Sequence, residues 1–258
     1  MAETTHLPKV NRVHFSAPFV WLQAGWRDMG SVPVLCVTYG AALALFSMLL
    51  AGFLYHTNQF IWFLVLVGGF MIIAPIIAAG LYRIAKMLGN GEQPKLGDVL
   101  TAFGRFSSDQ IMLGFALLFL FGLWVEIAYL IYGLSTFAVH RTVLEFASFM
   151  FATPAGLQMA VTGTLVGGVI AFIAYAIVVV SAPMLTLEES DVFIAIITSV
   201  RAVVTNFTAM ALWAFLIAIM TMLGIAVGFL GLVVVFPWIG LSSWHAYRSL
   251  VRSQGNVS

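Results

Sequence analysis

The sequence predicts an all-α, polytopic membrane protein: six transmembrane helices as three hairpins, each hairpin preceded by an amphipathic helix lying in the membrane interface. Three observations carry that prediction. First, 62% of the 258 residues are hydrophobic, only 8% are charged, and the mean hydropathy is +1.06. An ordinary soluble domain carries about 25% charged residues. So few charges cannot solvate a globular surface, which excludes a soluble enzyme and a disordered chain. Second, apolar stretches of about 20 residues, the length that crosses a hydrocarbon core, recur along the chain. Third, Lys and Arg collect on the links that such a topology places on one side.

The elements follow in order. Residues 1–32 form a polar and aromatic N-terminal segment with no short apolar stretch ahead of a small-residue cleavage site, so a cleavable signal peptide is not expected. The first span is expected from Pro33 to Tyr55 and the second from Ile61 to Tyr82, with Pro75 inside it. The third runs from Ile111 to Leu134 and carries Glu126; the fourth runs from Gln158 to Pro183. Asn206 to Tyr247 holds no Asp, Glu, Lys or Arg. At 1.5 Å per residue it would extend roughly 60 Å, about twice the hydrocarbon thickness, so it must fold back within Leu223 to Gly228 as spans five and six. Residues 33–247 thus form the bundle of a single membrane domain, and 248–258 a tail.

Lys9, Arg12 and Arg27 precede the first span, Arg83, Lys86, Lys95 and Arg105 lie between the second and third, Arg201 between the fourth and fifth, and Arg248 and Arg252 after the sixth. Ten of the 11 basic residues therefore share one side, and Arg141 alone lies opposite. By the positive-inside rule both termini are cytoplasmic. The links also repeat. Phe19 to Arg27 precedes the first span. Leu96, Val99, Leu100, Phe103 and Phe106 with Arg105 precede the third, and Val192, Ile196, Val200, Val203 and Val204 with Arg201 precede the fifth. These read as interfacial helices with the arginine at the headgroups. Pro75, Pro183 and Pro237 occupy the cytoplasmic half of each even span.

Glu126 is the one acidic residue within a span, and an intramembrane carboxylate is a functional candidate by default. His56 and His140 follow the first and third spans near the outer surface; neither they nor His6, His14 and His245 lie deep in a span, so no haem, copper or zinc site is expected. Cys36, alone in an apolar run, reads as a small buried hydrophobe. Glu188, Glu189 and Asp191 read as helix N-terminal complements. Small residues at helical spacing (Gly40 and Ala44; Gly163, Gly167 and Ala171) mark close helix contacts. A net charge of +1 provides no basic patch for nucleic acid, and no nucleophile–base pair, carboxylate pair or nucleotide fingerprint stands out.

From Ala24-Gly25-Trp26-Arg27-Asp28, through Trp124 to Leu134 and Ser181-Ala182-Pro183, to Trp244-His245-Ala246-Tyr247-Arg248, the chain resembles the domain of unknown function 2189 family of bacterial integral membrane proteins. The resemblance spans nearly the whole chain, and its most specific element is the terminal Trp-His-Ala-Tyr-Arg. Gly240-Leu241-Ser242-Ser243 stands where the family carries a further histidine. The resemblance implies a bacterial inner membrane and no established activity. Trp244, His245, Tyr247 and Arg248 join Glu126, Arg27, Arg105 and Arg201 as candidate functional residues. The expected function is a non-enzymatic accessory, assembly or stabilising subunit of a larger membrane complex, a respiratory one among the candidates, with the bilayer and other subunits as partners and no cofactor. The alternative is a small solute or proton-coupled transporter.

Overall fold

The computed structural model describes residues 7–57, 59, 61–99, 107–138, 140, 142–188 and 190–251. Among them are eleven α-helices: α1 (Ala17–Ser31), α2 (Pro33–His56), α3 (Ile61–Ile77), α4 (Ala79–Gly89), α5 (Ser108–Ser135), α6 (Val143–Ala152), α7 (Pro154–Val178), α8 (Ser181–Leu187), α9 (Val192–Thr205), α10 (Phe207–Ala226) and α11 (Leu232–Leu250). The all-α class is as expected. Among the described residues, four helical stretches are long and apolar enough to cross a membrane: α2, α5, α7 continued through α8, and α10.

Two expected spans are interrupted, one of them at a proline. A proline lacks the N–H that would reach the carbonyl four residues back, and its ring crowds that carbonyl. The expected second span is divided at Ala78 into α3 and α4, while Pro75 lies inside α3 and orphans a carbonyl on the side away from the break. The Tyr39 hydroxyl donates to the Ile77 carbonyl at this break. The expected fourth span is likewise divided at Val179 and Val180, just ahead of Pro183. There Ser199 bridges the open turn: its hydroxyl donates to the Ala176 carbonyl at 2.8 Å and accepts from the Val180 N–H at 3.1 Å. Pro237 leaves α11 continuous. Its orphaned partner is the Val233 carbonyl, which faces Gly40 so closely that a Cβ there would lie 2.2 Å from the oxygen.

The chain reversal expected at Leu223–Gly228 sits slightly later, over residues 227–231. Gly228 at φ +70 and Phe229 at φ +68 supply the left-handed backbone the turn requires, which glycine adopts without steric cost. α6 was not foreseen. Thr142 caps it, accepting from the Glu145 N–H at 3.2 Å.

The contacts divide the chain into two units. The first comprises residues 1–44, 75–113 and 176–258. Its centre is α1 packed on α11, with α4, α8, α9 and α10 around them. Gly25 of α1 lies against Ser242 of α11, where a Cβ would come within 2.1 Å of the hydroxyl and 2.7 Å of the backbone nitrogen. The Trp238 indole donates to the Leu22 carbonyl at 2.8 Å. Asn206, between α9 and α10, accepts from the Val13 N–H at 2.8 Å and donates to the Asn11 carbonyl at 3.0 Å. It thereby ties down the N-terminal segment, which also pairs through Val10 with Val251. α9 (Val192–Thr205) buries one face within the chain. Its buried face is Val192, Ala195, Thr198, Ser199, Ala202 and Val203, whereas Val200 and Val204 are exposed. The buried face carries Ser199, whose hydroxyl reaches the broken turn.

The second unit comprises residues 45–74 and 114–175. Trp124 of α5 is its keystone. Its indole donates to the Val65 carbonyl of α3 at 3.1 Å, and its ring lies over Gly68 and Gly167. Phe121 similarly covers Gly69. These are close approaches that any Cβ would block.

Candidate functional site

Five of the eight sequence-predicted candidates lie on two packed helices of the first unit, α1 and α11. Trp244, His245, Tyr247 and Arg248 lie on the last turns of α11, and Arg27 on α1. Residues 244 and 248 are one turn apart and share a face, so the Arg248 guanidinium sits over the Trp244 ring, 5.2 Å from its centroid. His245 turns toward α1, where its Nε2 lies 2.7 Å from a carboxylate oxygen of Asp28. A carboxylate only accepts, so Nε2 carries the hydrogen. Tyr247 points elsewhere: its hydroxyl donates to Glu188, beyond the end of α8, at 2.6 Å.

Together these side chains make a pocket of about 590 Å³, open on one side. Arg27 and Asp28 come from α1, Gly89 from the end of α4, and Trp244, His245 and Arg248 from α11. Gly89 is required there, because a Cβ would fall 2.3 Å from the Trp244 ring. Arg27 and Arg248 are both exposed, and among the described residues neither has a carboxylate partner. Asp28, Trp21 and Gly89 were missed as site residues. Asp28 was visible only as the neighbour of Arg27; nothing in the local pattern relates it to a histidine 217 positions away.

The remaining candidates lie apart from this pocket. Arg201 is exposed on α9. It precedes the first residue of α10 by the same interval as Arg27 precedes that of α2. Arg105 lies outside the described residues. Glu126 stands on α5 in the second unit, exposed, with no hydrogen bond or ion pair among the described residues. Two positions separate it from Trp124, about 200° around a helix. Packing of Trp124 against α3 and α7 therefore turns Glu126 away from both. Its neighbours on that face include Phe119 and Tyr129, both well exposed, and Gly122 and Gly133, beside which a Cβ would meet nothing within 4 Å.

A second pocket, of about 670 Å³, is bordered by Asp109, Glu188 and Asp191. These carboxylates have local duties. Asp109 accepts from the Val192 N–H, Asp191 caps α9 through the N–H groups of Phe193 and Ile194, and Glu188 accepts from Tyr247. His140 has its Nδ1 3.0 Å from the Tyr132 hydroxyl, and its ring stacks on Phe149. No cluster of three His, Cys, Asp or Glu side chains suited to a metal occurs among the described residues. Cys36 is fully buried, as a small hydrophobe should be.

Residues 62–186 match the family model described as predicted integral membrane protein (DUF2189). The matched segment contains Glu126 and Gly89 but ends before Trp244, so the terminal Trp-His-Ala-Tyr-Arg, expected to be the most specific element of the resemblance, lies outside it. No curated protein and no solved structure matches the chain.

Proposed function

For a chain whose residues 62–186 belong to the DUF2189 family of predicted integral membrane proteins, we propose the role of a non-catalytic accessory or assembly subunit that docks a larger complex of the bacterial inner membrane through the Glu126 face of α5. The observation that carries the reading is the exposure of that carboxylate on an apolar helix. An ionisable side chain near the centre of a membrane helix costs about 3 kcal/mol on insertion scales and ordinarily faces a protein interior. Here the residues around it are Phe119, Tyr129 and two glycines with open space beside them, a surface another helix can approach closely. Only 11% of the most apolar window of α5 is buried within the chain itself. A partner helix with a hydrogen-bond donor or cation at the depth of Glu126 would satisfy the carboxylate.

The topology belonging to this proposal has six spans. α3, 17 residues long, and α11, 19 residues long, serve as the second and sixth, at the short end of what can cross. Both termini, Arg27 and Arg201 are cytoplasmic. Reporter fusions after Arg201 and Ser258 should report cytoplasm, and a fusion at Arg141 periplasm.

Purification in mild detergent tests the docking. Wild-type protein should bring down partners in fixed stoichiometry, and Gly122→Leu should release them while the protein itself stays folded, since position 122 has room for a side chain. Glu126→Gln keeps the shape and much of the hydrogen bonding, and should leave the complex assembled. The same titratable group also suits a proton-coupled carrier. A pH-driven flux in liposomes, abolished by Glu126→Gln in well-folded protein, would replace the accessory reading with the transporter.

A further inference from the structure

We propose that the pocket between α1, α4 and α11 is a binding site for a phosphate group, with Arg27 and Arg248 as its ligands. This stands apart from docking at Glu126, since it uses other residues of the other unit. The argument is one of charge and shape. Arg27 and Arg248 border the same cavity of about 590 Å³, a size typical of small-ligand sites, and neither is paired with a carboxylate among the described residues. Asp28, the acidic residue of the lining, accepts from His245 at 2.7 Å and is thereby turned toward α11. Two guanidiniums stand against that one carboxylate, so the net charge of the ionised lining residues is positive. Planar and always charged, a guanidinium matches phosphate oxygens with two parallel N–H donors, which a lysine cannot do.

Arg248 is also held in place. Stacking over Trp244 removes much of the rotational freedom that a long side chain would otherwise lose on binding. Gly89 lets that indole settle against the end of α4. α1 has interfacial character beside the pocket: Val20 of the lining and its helix neighbours Phe19 and Trp26 are exposed, the last at 51% and set edge-on against Trp238. Aromatic side chains beside arginines are the usual furniture of the headgroup layer. The phosphate can therefore arrive as the headgroup of an anionic lipid or as a free phosphate from solution. Both present the same oxygens to the same two arginines.

Full-length protein in a non-ionic detergent is titrated with short-chain phosphatidylglycerol, short-chain phosphatidylcholine and inorganic phosphate, following tryptophan fluorescence and the melting temperature. Phosphatidylglycerol should bind saturably and at least about tenfold more tightly than phosphatidylcholine, since a zwitterionic headgroup offers no net charge. Arg27→Gln should weaken binding about tenfold, and Arg27→Gln with Arg248→Gln should abolish it. Arg201→Gln should leave it unchanged. Arg248→Lys keeps the charge but loses the fork, so it should fall between wild type and Gln. Inorganic phosphate that competes at millimolar concentration identifies a soluble ligand; phosphatidylglycerol binding that phosphate does not displace identifies the lipid. Two results overturn the proposal: no binding of either anionic probe to folded wild-type protein, or binding that persists in the folded double variant. Arg27, exposed and without a side-chain hydrogen bond or ion pair among the described residues, provides a variant that can be read even where a change at Arg248 disturbs the Trp244 packing.

Discussion

The seven buried polar side chains among the described residues, Ser181, Thr198, Ser199, Asn206, Thr221, Ser242 and Ser243, all lie in the first unit. That unit is assembled around them. Ser199 closes a broken helix, Asn206 anchors the N-terminal segment, and Ser242 meets Gly25 across the α1–α11 contact. The second unit has no such residue in its described part and uses aromatic rings laid over glycines instead: Trp124 on Gly68 and Gly167, Phe121 on Gly69. The difference follows from what each set of helices has to do. A hydrocarbon-facing helix gains little by burying an apolar side chain, so association rests on close van der Waals approach. Interrupted helices and chain ends expose backbone donors and acceptors, which have to be paired wherever water is scarce.

Substitutions can break that contrast, starting with the largest effect. Gly25→Val would drive a branched side chain into the backbone of Ser242, where even a Cβ has no room. It should cost upward of about 3 kcal/mol and prevent a stable fold, read as loss of monodisperse protein in detergent. Gly163→Val in α7, where a Cβ meets nothing, should change the melting temperature by little. Equal tolerance at the two positions would refute the idea that glycines act as contact surfaces in the first case and as open surface in the second.

Asn206→Ala removes two bonds to the N-terminal segment and one to the Ala202 carbonyl at 3.2 Å. The expected loss is about 2 to 3 kcal/mol, because the Val13 N–H and Asn11 carbonyl are left seeking partners. Limited proteolysis should then cut within residues 7–16 ahead of global unfolding. Simultaneous loss of the whole fold would show that the segment is not separately held.

Trp124→Phe retains the ring over Gly68 and Gly167 but removes the indole donor to Val65. If van der Waals packing dominates the second unit, the cost should stay near about 1 kcal/mol, and Trp124→Ala should cost at least about 3 kcal/mol. A Phe variant as damaged as the Ala variant would make the hydrogen bond, not the packing, the second unit's tie. The smallest effect belongs to Asp28→Asn. The Asp28–His245 contact is part-buried, with side chains 15% and 20% exposed, and the amide can still accept from Nε2–H. A change within about 1 kcal/mol is expected in thermal unfolding.

Local pattern determined a good deal. Composition and runs of apolar residues are properties of consecutive positions, so the membrane class, the helical stretches and the proline positions could be read directly. Pro183 even marks where a helix is interrupted, because a missing N–H acts on the carbonyl only four residues back, whereas Pro75 stays inside α3. That the interruptions would divide expected spans into α3 and α4, and α7 and α8, depended on Tyr39 and Ser199, which receive the broken turns from other parts of the chain. The candidate residues divide the same way. Trp244, His245, Tyr247, Arg248 and Arg27 could be singled out as residue types in a pattern. That Tyr247 turns to Glu188, 59 positions away, is decided by where α8 ends beside α11, and that Arg27 and Arg248 share a pocket with the Asp28–His245 pair is decided by packing of α1 on α11 across 217 positions. Periodicity carries no information at that separation. The outward direction of Glu126 was likewise undetermined until Trp124 chose its glycines, since a helix of almost uniform apolarity has no inner face until another helix packs on it.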